Sequence, residues 1–199
     1  MLEVLSTIFG LIQGVLVMLD RRSNWIFYSL QMFFLVLFSM DMRLWGDVAI
    51  DSIYFFLGIG GFFLWRKCNL AEAISVYGWK ERLLGLLLLI LAIVVSWTFL
   101  CKTDSPLPFL DSITSITSII ATWLMFCHKL DAWGAWFIND VFYIVEYIML
   151  PEKALYLIGL YIVWTVFAIT SFVNWKRLYE AERLLKRAQG QVLYQKDTT

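Results

Sequence analysis

Long apolar runs alternate with short charged breaks along the chain, and the breaks set the elements. Residues 83–101 and 155–173 carry no charge at all. A bilayer core about 30 Å thick takes about 20 apolar helical residues to cross. Seven stretches approach that length: 2–19, 24–41, 48–65, 83–101, 109–127, 133–150 and 155–174. Asp20-Arg21-Arg22 ends the first, and Met42 to Asp47 leads into the third, which stops at Arg66-Lys67. A longer mixed segment, 66–82, precedes the fourth span. Pro106 and Pro108 mark the turn before the fifth, and Pro151 ends the sixth, because proline disfavours a continuing helix. The pattern predicts an all-α integral membrane protein with seven transmembrane helices, short loops and a charged tail.

Basic residues test that count, since cytoplasmic loops are enriched in Lys and Arg. With seven spans, one side holds Arg21, Arg22, Arg66, Lys67, Lys80, Arg82, Lys129, Lys176, Arg177, Arg183, Lys186, Arg187 and Lys196. These are 13 of the 16 basic residues; Arg43, Lys102 and Lys153 are left for the other side. Six or eight spans would scramble the bias. The expected topology is therefore N-terminus outside and C-terminus in the cytoplasm.

The spans also repeat. The second opens with Trp25 and the sixth with Trp133, each after a basic loop. The third ends Leu64-Trp65-Arg66-Lys67 and the seventh Asn174-Trp175-Lys176-Arg177. The two tryptophans stand 40 residues apart in one half and 42 in the other. Two three-helix units joined directly would be inverted; one linking helix restores the same orientation. The expected plan is 3+1+3, a parallel repeat like that of SWEET transporters. It divides the chain into a first repeat (1–67), a loop and linker helix (68–108), a second repeat (109–177) and a cytoplasmic tail (178–199).

Composition narrows the function. Of 199 residues, 61% are hydrophobic and 16% charged, with a mean hydropathy of +0.74, against about 25% charged in soluble domains. That leaves no room for a separate soluble domain. The net charge is zero, so nothing attracts nucleic acid globally. Cys68, Cys101 and Cys127 show no metal-binding spacing, and the lone His128 falls beside Lys129 at a helix end, as a loop or interface residue. The first apolar run lacks a basic leader and a cleavage site, so it reads as a span rather than a signal peptide. No nucleotide-binding loop, metal cluster or catalytic triad appears, which argues against an enzyme or a pump and implies no cofactor.

Polar groups inside spans are costly and usually face a cavity or a partner. The sixth span is richest: Trp136, Asn139, Asp140, Tyr143 and Tyr147 recur at three- and four-residue spacing and share a helix face. Glu146 flanks that face near the outer end, where it fits a solvated rim as well as a site. The third span adds Asp51 and Tyr54, the second Gln31, and the seventh Tyr161 and Trp164. Hydroxyls of the fifth span, from Ser112 to Thr122, read mostly as packing, since Ser and Thr in membrane helices bond their own backbone. Carboxylates and amides among aromatic rings suit a planar, cationic heterocycle. A membrane scaffold is the competing reading; its polar groups would pair with each other and leave no cavity.

Trp133-Gly-Ala-Trp136-Phe-Ile-Asn139-Asp140 resembles the W-x-x-W-x-x-x-(N/D) motif of the PnuC family of bacterial vitamin transporters. Asn24-Trp25 resembles that family's N-W, Leu44-Trp45-Gly46-Asp47 its L-Y-x-D, residues 111–125 its fifth helix and Trp175-Lys176-Arg177 its closing segment. The resemblance implies a SWEET-like fold in the bacterial inner membrane. It also implies facilitated diffusion of nicotinamide riboside, with a cytosolic kinase trapping the solute; relatives carry thiamine, riboflavin or deoxynucleosides. Carried over, Trp133, Trp136 and Asp140 become substrate contacts, with Asp51 where the family often has glutamine, and Tyr54 next on that face. A homotrimer is implied as well.

Overall fold

The computed structural model describes residues 1–18, 21, 23–64, 74–150 and 154–197. These form seven helices: α1 (Leu2–Met18), α2 (Asn24–Asp41), α3 (Trp45–Leu64), α4 (Trp79–Leu100), α5 (Pro108–Phe126), α6 (Asp131–Met149) and α7 (Leu155–Asp197). No strand occurs among the described residues. Arg22, the Trp65-Arg66-Lys67 end of the first unit, Cys68 and Pro151 lie outside them.

Four helices contain stretches long and apolar enough to cross a membrane: Trp45–Phe63, Trp79–Leu100, Pro108–Met125 and Leu155–Ala188. Leu2–Leu16 is apolar but shorter. α2 and α6, not among them, carry buried polar side chains: Asn24, Ser29, Gln31 and Ser39 on one, Asn139, Asp140 and Glu146 on the other. The surface is the reverse of a soluble protein's. Phe56, Phe63 and Phe99 are about two-thirds or more exposed, whereas Asp47, Asp111 and Glu146 are 0% exposed. That inversion is what a hydrocarbon solvent selects. α4 is apolar on every side and packs on α5 and α3 only, so most of its Leu-rich surface is left for lipid.

The helices touch in the same order in both halves. α1 packs on α2 and α2 on α3; α5 packs on α6 and α6 on α7. Two seams then cross between halves, α1 against α7 and α3 against α5. A central cluster from α2, α3, α6 and α7, including Leu35, Phe38, Ile50, Tyr54, Tyr143, Tyr147 and Leu157, fills the middle. At one end, Ser75 exchanges backbone hydrogen bonds with the α5–α6 turn (to His128 O, 3.0 Å, and from Leu130 N, 2.9 Å), and Arg82 pairs with Asp131 at 2.8 Å. At the other end, the Trp45 indole donates to Asp104 at 2.6 Å and Arg43 pairs with it at 3.0 Å. The Trp45 hydrogen bond, then Arg43, hold the exposed Asp104 carboxyl below its ordinary value.

Three boundaries differ from the pattern's expectation by three residues or more. α3 begins at Trp45 rather than 48, because its first amides find a carboxylate from α5. α4 begins at Trp79 rather than 83; Glu81 folds back to accept the Gly78 N–H at 2.6 Å, so charged residues start the helix instead of preceding it. α7 does not stop at 174 but continues to Asp197. The segment after Trp175 is rich in helix formers, and Glu182 and Lys186 pair one turn apart at 3.4 Å.

Candidate functional site

The α6 face expected to carry the chemistry is buried. Asn139, Asp140, Tyr143, Glu146 and Tyr147 all point inward. α5 meets it with hydroxyls. Ser112, Thr114, Thr117, Ser118 and Thr122 each bond the carbonyl four residues back, at 2.6, 3.0, 2.5, 2.7 and 2.8 Å, as their packing role requires. Four also reach across: Thr114 to Asp47 Oδ1 at 3.5 Å, Thr117 to Asn139 Oδ1 at 2.5 Å, Ser118 to the same oxygen at 3.3 Å, and Thr122 to the Tyr54 hydroxyl at 2.6 Å. Asn139 is thus an anchored amide whose Nδ2 has no partner among the described residues.

Aromatic rings line the interior beside it. Tyr143 stacks on Tyr161 with ring centroids 4.5 Å apart and 25° between planes, and Tyr147 lies 5.6 Å from Tyr161. Tyr54 sits 6.4 Å from Tyr28. Asp140 and Asp51, 4% and 6% exposed, lie within electrostatic range of Tyr161. Gln31 is buried on α2 against Gly10, where a Cβ would come within 2.8 Å of its Nε2. Trp136 is half-buried one turn before Asn139 and Asp140. Trp164 packs against the central cluster that includes Tyr54, Tyr143 and Tyr147, and Trp133 stands in the first turn of α6. Trp133 packs edge-on against Trp175 at 5.3 Å, and His128, at the α5–α6 turn as expected, stacks on Trp175 at 6.4 Å. Trp164 contacts Phe167 at 5.7 Å and faces Gly14.

Glu146 is not a solvated rim residue. It is fully buried, and neither carboxylate oxygen has a hydrogen-bond partner among the described residues. Thr114 lies beside it, but its hydroxyl is directed at the Leu110 and Asp111 carbonyls, at 3.0 and 3.2 Å, and at Asp47 Oδ1, at 3.5 Å. Two further acids join it that the spacing argument left out of the site. Asp47, in the first turn of α3, accepts the Tyr143 hydroxyl on Oδ1 at 3.0 Å and leaves Oδ2 without a partner. Asp111, in the first turn of α5, accepts the Gly46 N–H on Oδ2 at 3.0 Å and the Asp47 N–H on Oδ1 at 2.9 Å. Both read in sequence as charges at helix ends. The one signal that could have found them is Leu44-Trp45-Gly46-Asp47. Gly46 stands where any Cβ would lie 2.5 Å from Asp111 Oδ1 and 2.6 Å from Ser115 Oγ.

A separate open groove of about 420 Å³ runs between α2 and α3, lined by Trp25, Phe33, Phe55 and Phe62 among others. It holds none of the expected site residues.

Helices with an apolar exterior and a buried polar, aromatic interior define a multi-pass membrane protein, here with the fold of a vitamin transporter. The crystal structure of the vitamin B3 transporter PnuC superposes with a TM-score of 0.73 over 91% of this chain and 83% of that one, at 22% identity. The profile of the nicotinamide mononucleotide transporter family matches residues 1–177, and the chain belongs to that family. A nicotinamide riboside transporter PnuC from Neisseria mucosa is 26% identical over 203 residues, covering 96% of this chain and 75% of the relative. The PnuC resemblance read from Trp133, Trp136 and Asp140 is thereby shown for the family as a whole.

Proposed function

We propose that this chain carries nicotinamide riboside across the bacterial inner membrane by facilitated diffusion, with phosphorylation in the cytosol trapping the solute. The observation that carries the reading is the match to the Neisseria mucosa nicotinamide riboside transporter across nearly the whole chain. The interior agrees with it chemically. Asp51 and Asp140 lie buried among Tyr54, Tyr143 and Tyr161, and α3, α5, α6 and the membrane part of α7 up to Asn174 contain no Lys or Arg to balance them. A pyridinium ring would supply both the charge and the planar face. Gln31, Asn139 and Trp136 would complete the wall, the two amides toward the sugar hydroxyls and the indole on the ring. Trp133, Tyr161 and Trp164 would bound the path.

The 3+1+3 parallel repeat belongs to the same proposal. Its support is the matching order of contacts in the two halves and a matching cap at each cross-seam. Glu3 of α1 accepts the first amides of α7, Tyr156 N at 2.5 Å and Leu157 N at 3.2 Å, as Asp111 of α5 accepts those of α3. Glu3 and Asp111 stand 108 residues apart, as do Trp25 and Trp133.

Calorimetry on the purified full chain tests the substrate. Nicotinamide riboside should bind, with thiamine weaker and deoxyadenosine and riboflavin weakest. Tight binding of deoxyadenosine with no binding of either cation would overturn the choice of substrate and leave the family untouched.

A further inference from the structure

Asp47, Asp111 and Glu146 come from three helices, α3, α5 and α6. Each offers one carboxylate oxygen, and the three oxygens lie within 4.8 Å of one another. All three side chains are fully buried.

The fold needs one of them. Asp111 caps α3 through two backbone N–H groups, a need that every helix start has. At the other cross-seam Glu3 does the same for α7 with a single carboxylate. The positions there that correspond to Glu146 and Asp47, at the spacings of the two tryptophan pairs, are Phe38 and Leu157. Both are buried and apolar. A capped seam is therefore built without the other two acids, and Asp47 and Glu146 are surplus to it.

Surplus acids inside a membrane are expensive unless something compensates them. Both oxygens of Glu146 and the Oδ2 of Asp47 lack a hydrogen-bond partner among the described residues, so whichever Glu146 oxygen faces the other two acids is bare. The remaining oxygens are fixed as acceptors. Asp111 takes a backbone N–H on each oxygen and the Ser105 hydroxyl at 3.3 Å on Oδ2; Asp47 takes the Tyr143 hydroxyl. The Ser115 hydroxyl stands 3.4 Å from both Asp47 Oδ1 and Asp111 Oδ1. None of α3, α5 or α6 contains Lys, Arg or His. Every donor atom on offer is oxygen, the ligand set of a hard cation. Such an ion binds oxygen at about 2.3–2.6 Å, which spreads its ligands to at most about 5 Å from one another.

We propose that Asp47, Asp111 and Glu146 bind a hard metal cation of the sodium or calcium class, which ties α3 of the first half to α5 and α6 of the second. The ion is resident: it offsets charge on the surplus acids and clamps the seam, and transport of the solute does not require it to move. This site adjoins the proposed solute contacts: Asp51 stands one turn after Asp47 on α3, and Tyr143 of the proposed solute wall donates to Asp47.

The test uses the full chain, purified in detergent, washed with EDTA and held in choline chloride. Thermal unfolding is followed by tryptophan fluorescence as sodium chloride or calcium chloride replaces choline at constant ionic strength. One of the two should raise the Tm saturably, because a ligand that binds the folded state stabilises it. Glu146→Gln should raise the midpoint of that effect at least about tenfold, and Asp47→Asn likewise, about 1.4 kcal/mol. Glu3→Gln, at the other seam, should lower the Tm and leave the midpoint unchanged. Should the variants fail to fold, equilibrium binding of radioactive sodium and calcium to the unaltered chain decides, with one ion per chain expected. No rise with either salt, an unchanged midpoint in Glu146→Gln, or no bound ion would overturn the site. A Glu146→Gln chain that is more stable on its own, with no cation effect in either form, would mean that the acids are protonated instead.

Discussion

In the proposed site, Asp51 and Asp140 set the charge of the solute. Converting each to the amide keeps the shape and removes the charge. Asp51→Asn and Asp140→Asn should each raise the dissociation constant for nicotinamide riboside at least about tenfold, or 1.4 kcal/mol. Any residual affinity for deoxyadenosine should hardly change, since an amide still hydrogen-bonds a sugar hydroxyl; calorimetry on both variants reads this directly. Gly46 makes a packing prediction of the opposite kind. A methyl there meets Asp111 Oδ1 and Ser115 Oγ at about van der Waals overlap, whereas Gly60 has nothing within 4 Å. Gly46→Ala should lose about 1–3 kcal/mol, and Gly60→Ala should be neutral or gain up to about 1 kcal/mol from helix propensity. Urea or thermal unfolding of the two variants side by side checks the contrast. Single residues were legible where they recur at helical spacing, as on the α6 face. Asp47, Asp111 and Glu146 were not, because each stands within a turn of its own helix end, where sequence reads a charge as solvated. Only the tertiary fold brings three such ends together below the surface.

At the scale of elements, the apolar runs located all seven helices, since none of them contains Lys or Arg and the basic residues fall in the breaks between them and in the tail. The starts of α3 and α4 were misplaced for one shared reason. Asp47 and Glu81 are charges that serve a helix's first turn, and a pattern that equates charge with loop puts them outside it. The extension of α7 was missed because a helix leaving the bilayer loses its apolar period without losing its hydrogen bonds. Caps that cross between halves make the elements interdependent. Glu3→Ala removes the acceptor for the Tyr156 and Leu157 amides and should destabilise the protein by about 1 kcal/mol, within the range of lost N-caps. The expected result is a lower Tm with nicotinamide riboside binding retained. An unchanged Tm would show that lipid or solvent satisfies those amides equally well.

The whole molecule divides its charges by side: in the proposed topology 13 of 16 basic residues face the cytoplasm. A tag after Thr199 should be reachable only from the cytoplasmic face of right-side-out and inverted vesicles, and one before Leu2 only from the outer face. Both ends on one side would rule out the seven-span count and the parallel repeat together. The family was legible in a few short motifs because Trp133, Trp136 and Asp140 keep their order and spacing on one helix. The solute was less so, because aromatic rings and carboxylates specify a class of ligand rather than one member. The central claim is transport itself, and uptake of radiolabelled nicotinamide riboside by proteoliposomes of the purified chain measures it. Label should enter until the inside matches the outside and no further, unlabelled nicotinamide riboside should compete, and deoxyadenosine should not. Uptake no faster than in protein-free liposomes, or entry of deoxyadenosine in preference to nicotinamide riboside, would contradict the account.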